Sequence, residues 1–306
     1  MTFRRHLCAL WRAVLFAAAV MTGGGPAVAA DVAPPVTSPR LNPPVPGVDP
    51  ARPLNRVISL APHVTELIYA AGAGDRIVGT VISSDYPADA QRIPRIGDGM
   101  NIDTERALSL RPDLVIAWQP AGAARTLAPV LGRLGIPLVF SEPARLDDIP
   151  TEVVRMGEYF KTEGVATAAA EVLAQRLAAL RVRYAGKPPV RVFIQIGSDP
   201  LYTVGNDPLM NDVLATCGGV NLFRDAAVAA PQVSEETVLQ KQPAVVIVPS
   251  SQPGVRARDA ARWEALHLPA AMAGHIHGMN PDVLFRPGPR LIDAAETLCR
   301  LLDASR

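Results

Sequence analysis

Glu105-Arg-Ala-Leu-Ser-Leu-Arg-Pro112-Asp-Leu-Val-Ile-Ala117 is written a second time, 131 residues later, as Glu236-Thr-Val-Leu-Gln-Lys-Gln-Pro243-Ala-Val-Val-Ile-Val248. In both copies a glutamate stands seven residues before a proline, and an aliphatic run begins two residues after it. Proline disfavours helical backbone in the residue before it and cannot continue a helix, so each copy reads as a short helix, a stop and a buried strand. Upstream of each lies an arginine that opens a further aliphatic strand, Arg56-Val-Ile-Ser-Leu60 and Arg191-Val-Phe-Ile-Gln195. The chain therefore contains two similar α/β halves, an arrangement that places a ligand site between them.

Working outward, the first half reads as strand Val57–Leu60, helix His63–Ala71 stopped by Gly72, strand Val78–Ile82 and loop Ser83-Ser-Asp-Tyr-Pro87. Helix Thr104–Leu110, strand Leu114–Trp118, helix Gly122–Leu134 and strand Pro137–Phe140 follow. The second half reads as strand Val190–Ile196, loop Gly197–Gly205, helix Asp207–Thr216, helix Glu235–Gln240, strand Ala244–Pro249, a helix over Arg258–Leu266, strand Ala273–His277 and helix Pro289–Leu302. Strands alternating with helices at this spacing predict parallel βαβ units. Between the halves, Leu146–Tyr184 is rich in Ala, Leu, Val, Arg and Glu, with apolar residues recurring at three and four. That pattern predicts one long rigid helix as a spacer. The divisions are an N-terminal lobe over 54–142, a connecting helix within 143–187 and a C-terminal lobe over 188–306.

The front of the chain reads as an export signal over residues 1–30. Arg4 and Arg5 supply the positive start, Ala13–Met21 a short apolar core, and Ala27-Val-Ala-Ala30 the small residues of a cleavage site. The apolar stretch is short for a membrane anchor, and Gly23–Gly25 interrupt it. Cys8 precedes that core, opposite to the order a lipoprotein needs. A proline-rich linker spans 31–53. Loss of residues 1–30 removes three arginines and no acid, taking the formal charge from +1 to −2. That balance argues against nucleic acid or an anionic membrane surface as partner. Cys217 and Cys299 then remain, a pair that forms one disulfide in an oxidising compartment or stays as two buried thiols.

No catalytic constellation stands out. The chain has no GxSxG, GxGxxG, P-loop or HExxH, and no Cys/His spacing of structural zinc, so no catalytic and no metal residue is assigned. His275 and His277, two apart on a strand, point to one face and could chelate a metal, with His63 a further candidate; with ligands so sparse, ordinary histidines on a half-exposed strand are the favoured reading. Open parallel sheets bind ligands at the carboxyl ends of their strands. Tyr86 and Trp118 fall there in the first half, and Tyr202, Asp282, Phe285 and Arg286 in the second. Aromatic faces with a few polar groups make a small-molecule cleft. Glu105 and Glu236 sit in the first turns of equivalent helices, where the dipole favours an acid. Their matched placement on two lobes also fits a grip on a symmetric partner's arginines.

Seven further stretches carry a family resemblance: Ala61-Pro-His-Val-Thr-Glu-Leu67, Ser84-Asp-Tyr-Pro87, Gly99-Met-Asn101, Pro112-Asp-Leu-Val-Ile-Ala-Trp118, Val213-Leu-Ala-Thr-Cys-Gly-Gly219, Pro231-Gln-Val-Ser234 and Phe285-Arg-Pro-Gly-Pro-Arg290. From Arg56 to Leu302 the chain resembles the periplasmic substrate-binding proteins of ABC importers for cobalamin, haem and ferric siderophores. The Cys-Gly-Gly and Pro-Gln-Val-Ser pieces point to the cobalamin members. The resemblance implies the class III periplasmic binding fold, two Rossmann-like lobes with parallel central sheets joined by one long α-helix. It implies a monomeric, non-enzymatic receptor with no cofactor of its own, which clamps a cobalt-containing corrinoid between the lobes and delivers it to a membrane permease. It implies a Cys217–Cys299 disulfide, ligand contacts at Tyr86, Tyr202, Asp282 and Arg286, and docking of Glu105 and Glu236 on permease arginines. The chain departs from the pattern at Gly97-Asp98 and at Ala230, where the cobalamin members carry tryptophans. Receptors for haem or a ferric siderophore, a metal-uptake protein built on His275 and His277, and an exported enzyme are the alternatives.

Overall fold

Each copy of the repeated phrase is a capped helix, a left-handed residue, a proline and a buried parallel strand in a computed structural model of the chain, which describes residues 54–250 and 258–306. The expected export signal and linker lie outside the described residues. The first lobe comprises β1 (Val57–Ser59), α1 (Pro62–Ala70), β2 (Ile77–Thr80), α2 (Thr104–Ser109), β3 (Leu114–Ala117), α3 (Gly122–Leu134) and β4 (Leu138–Phe140). Its sheet is parallel in the order β2-β1-β3-β4. Two helices follow, α4 (Asp148–Phe160) and α5 (Glu163–Tyr184). The second lobe then comprises β5 (Val190–Ser198), β6 (Leu201–Thr203), α6 (Pro208–Thr216), β7 (Gly219–Asn221), α7 (Glu235–Lys241), β8 (Val245–Pro249), α8 (Arg258–Ala265), α9 (Pro269–Met272), β9 (Ile276–Met279), α10 (Pro281–Leu284) and α11 (Arg290–Ala304). Here β7, β5, β8 and β9 repeat the parallel order of the first sheet, and β6 pairs antiparallel with the far end of β5.

The repeat has a local physical basis. Helix α2 is capped by Asp103, whose carboxylate accepts from the Arg106 amide at 2.9 Å; helix α7 is capped by Ser234, whose hydroxyl accepts from the Thr237 amide at 3.2 Å. Each helix ends on a left-handed residue, Arg111 at φ 48° and Gln242 at φ 44°, directly before the proline. The strand-opening arginines close the other end. Arg56 donates to the Leu110 carbonyl at 2.6 Å and to the Arg111 carbonyl at 3.1 Å, and Arg191 donates to the Lys241 carbonyl. A guanidinium there satisfies the orphan carbonyls of a helix C-terminus and meets the negative end of its dipole. What reads as a recurring arginine is a clamp between strand and helix end.

The stretch read as one spacer helix is a helical hairpin. Lys161 turns left-handed at φ 58°, α4 ends, and α5 packs back against it. The two approach so closely at Gly157 that an added Cβ would stand 2.3 Å from the Cβ of Ala166. The long connection between the lobes is α5 alone. The loop expected over Gly197–Gly205 contains β6, β7 adds a short strand after α6, and the last strand runs over Ile276–Met279, after a left-handed Gly274 at φ 76°. No helix among the described residues is long and apolar enough to cross a membrane.

One buried cluster runs through both lobes. It joins Val57 and Leu114 of the first sheet, Leu146 and Leu177 of the hairpin region, Val192 and Val245 of the second sheet, and Leu298 of α11. Cys217, at the end of α6, is disulfide-bonded to Cys299 on α11.

Candidate ligand cleft

Residues that leave the carboxyl ends of β1, β2 and β3 enclose a cavity of about 270 Å³, lined among others by Leu60, Pro62, Ser83, Asp98, Met100 and Trp118. Trp118 follows β3 directly and is 45 % exposed. Its indole is braced from behind by His63, edge-on at 5.5 Å and 75°. His63 is itself buried, and its Nε2 lies 3.1 Å from the Ser141 carbonyl. A carbonyl only accepts, so Nε2 carries the proton and donates. Burial lowers the pKa of His63 to about 4, against a partly opposing bond to Ser141, so the ring is neutral near pH 7. His63 supports an aromatic wall and does not reach into the cavity. Asp98, on the rim, accepts from the amides of Asn101 at 2.7 Å and Met100 at 2.9 Å. The bonds from Asn101 hold its carboxyl below the usual carboxylate range.

Loops of the two lobes also meet at the carboxyl edges of their sheets. After β9, Arg286 donates to Asp85 at 2.7 Å and to Asp282 at 2.6 Å. Asp85 follows β2, so this contact brings the carboxyl edges of the two sheets together. Both acids are about half exposed, whereas the Arg286 side chain is largely covered. Four residues on, Arg290 at the start of α11 grips Glu66 of α1 with two bonds, and its guanidinium lies 4.1 Å from the ring centroid of Tyr86. Burial raises the pKa of Glu66, opposed by its bonds to Arg290.

The sequence-derived residues thus fall into distinct settings. Trp118 lines the cavity; Tyr86, 46 % exposed, lies under Arg290; Asp282 and Arg286 share an ion pair that reaches the first lobe. Phe285 is half-buried and packs on the main core. Tyr202 sits on β6, and so on a strand and not in a loop, with its ring 3.6 Å from where a Cβ on Gly197 would be. Glu105 and Glu236 are both exposed, each in the first turn of its repeated helix. Its neighbour Glu235 pairs with Arg262 at 2.7 Å, while a bond from Ser234 holds the Glu236 carboxyl below the usual range. His275 lies 3.3 Å from the Ala244 carbonyl, and the Nε2 of His277 is buried without a hydrogen-bond partner among the described residues. No three His, Cys, Asp or Glu side chains among the described residues are grouped to hold a metal. Sequence reasoning missed Asp85, Glu66 and Arg290 as site residues, although each lies within a stretch that carries the family resemblance.

A family model described as a periplasmic binding protein matches residues 57–283. The chain is 38 % identical over 251 residues to the vitamin B12-binding protein of Yersinia pestis (strain Pestoides F), an alignment that covers 82 % of this chain and 87 % of that protein. Among solved structures it is similar to the periplasmic vitamin B12 binding protein BtuF of Vibrio cholerae, with 37 % identity, a TM-score of 0.74, and coverage of 83 % of this chain and 98 % of that one. It is also similar to the periplasmic heme-binding protein RhuT of Roseiflexus sp. RS-1, with 26 % identity, a TM-score of 0.70, and coverage of 83 % and 100 %.

Proposed function

We propose that this chain, which belongs to the periplasmic binding protein family, captures a corrinoid between its two lobes in the periplasm and delivers it to the permease of an ABC importer. The observation that carries this reading is the Asp85–Arg286 contact, which sets the carboxyl edges of two equivalent parallel sheets against each other on the edge where the first lobe opens a cavity walled by Trp118. The vitamin B12-binding relatives, at 38 % and 37 % identity, supply the ligand class. Trp118, Tyr86 and Tyr202 offer apolar faces to the macrocycle, with Phe285 packed behind. Asp282 accepts from, and Arg286 donates to, the amides on the corrinoid rim; the Asp282 side of their ion pair is half exposed, so water and ligand compete for it there. Glu105 and Glu236 then engage arginines of the permease, one per lobe. The receptor works as a monomer after export and removal of residues 1–30.

Titration of the mature protein with cyanocobalamin, haemin and a ferric siderophore tests the reading. Tight binding of cyanocobalamin is expected. Binding of haemin with none of cyanocobalamin would favour the second reading, which the similarity to RhuT supports.

A further inference from the structure

We infer that Glu66 and Arg290 are positioning residues of the cleft, stapling the loop Phe285–Arg290 of the second lobe to helix α1 of the first and holding the ring of Tyr86 in its ligand-binding orientation. The assignment of Tyr86 to the ligand rests on the reading above; the staple itself does not.

The pair differs in kind from its neighbour at Arg286. Glu66 and Arg290 are separated by 224 residues, yet Oε1 lies 2.6 Å from Nη2 and Oε2 lies 3.0 Å from Nε. The two arginines are alike in cover, 18 % exposed at Arg290 and 13 % at Arg286, and the difference lies in their acids: Glu66 is 2 % exposed, whereas Asp85 and Asp282 are 51 % and 54 %. A solvated pair exchanges partners readily, whereas removing one member of a buried pair strands the other without water. The loop between the two arginines is pressed onto the same helix. A Cβ on Gly288 would stand 3.3 Å from Oε2 of Glu66 and 3.4 Å from the Cβ of His63. The half-exposed Asp85 and Asp282 are thus the partners that water or a ligand group can displace, while the sealed Glu66 keeps Arg290, and with it the lobes, in place.

The same guanidinium covers one face of Tyr86 at 4.1 Å from the ring centroid. Tyr86 sits on a short loop after β2 and is half exposed. An aromatic ring in that setting samples several rotamers unless a neighbour holds it, and a ligand must then pay to order it. Arginine is suited to both tasks: its planar fork matches a carboxylate with two parallel bonds and stacks on an aromatic face. Lysine offers one point charge and can do neither in the same way.

The test combines binding and exchange on the mature protein. In cyanocobalamin titrations, Arg290→Lys and Glu66→Gln are each expected to weaken binding by about tenfold, the factor that ordering one flexible side chain represents. Tyr86→Leu weakens it as well, and the double variant Arg290→Lys/Tyr86→Leu binds no more weakly than Tyr86→Leu alone. Fully additive losses, or a lower melting temperature with unchanged affinity, would overturn the positioning role. Amide hydrogen exchange of the ligand-free protein gives a second readout that needs no ligand. Exchange across Ser83–Tyr86 should quicken in Arg290→Lys and in Glu66→Gln, and unchanged rates in both would refute the staple. A wild-type protein that ignores cyanocobalamin would sink the ligand reading alone, because the exchange measurement still decides on the staple. Glu66→Gln keeps the size of the side chain and one bond to Arg290, so it serves if Arg290→Lys does not fold.

Discussion

His63 couples the stability of the receptor to pH, chiefly through burial. Its ring is sealed behind Trp118, donates to the Ser141 carbonyl and titrates at about 4 in the fold, against 6.5 when solvated. Between those values the unfolded chain holds a proton that the folded chain cannot take. Unfolding therefore gains protons, and stability rises with pH across this window. The contribution is complete above about pH 6.5 and lost as the pH falls towards 4; it amounts to about 3 kcal/mol when 1.36 kcal/mol is counted per unit. Urea unfolding at pH 7.5 and pH 4.5 measures it. The wild type should lose stability of this order, and His63→Phe should lose markedly less. A variant whose stability falls as steeply as the wild type's would show that other groups carry the dependence. The same ring explains why a histidine next to the cavity is a poor metal ligand: the nitrogen placed by the structure is spent on a carbonyl.

At the scale of elements, the repeated helix–proline–strand phrase divides its labour. Its prolines, left-handed residues and clamping arginines build the two sheets, while Glu105 and Glu236 point away from the core on the first turns of α2 and α7. Two exposed acids on equivalent helices present matched charges, which the proposed docking on permease arginines would use. Reversal of both, Glu105→Lys with Glu236→Lys, should abolish transport and cosedimentation with permease-containing vesicles. Cyanocobalamin affinity should stay within about twofold, since neither side chain lines the cleft. Loss of ligand binding itself would remove the docking assignment. The helix–stop–strand build was legible because proline and a following aliphatic run are strong local signals. Other elements carried weaker ones. The α4–α5 break falls at Lys161-Thr162, with neither glycine nor proline to mark it, and helical periodicity continues on both sides. β6 and β7, three residues each, are too short for alternation to register. The pairs Asp85–Arg286 and Glu66–Arg290 span 201 and 224 residues, and a single sequence contains no term that links such distant charges.

Across the whole molecule the lobes are held in ways that leave little room for a hinge. The main buried cluster is continuous from the first sheet through α1, α4, α5 and α11 to the second sheet, so large rotation of one lobe would expose core side chains to water. Polar ties reinforce it. Arg176 on α5 bonds to Asp293 and Glu296 on α11, the Leu146 amide donates to Asp212 on α6 at 2.9 Å, and Arg181 grips Asp147 with two bonds of 2.8 Å. A helix of 22 residues resists bending, unlike a pair of extended strands whose few hinge residues absorb large dihedral changes. Ligand capture is therefore expected to proceed by rearrangement of side chains such as Arg286 and by small loop shifts. Small-angle scattering of the mature protein with and without saturating cyanocobalamin should give radii of gyration that agree within experimental error. Site-specific spin labels placed on α3 and α8, one on each lobe, should report the same distance distribution in both states. A clear contraction on binding would mean that the continuous core yields, and that the buried Glu66–Arg290 pair opens and closes with the ligand instead of holding the lobes throughout.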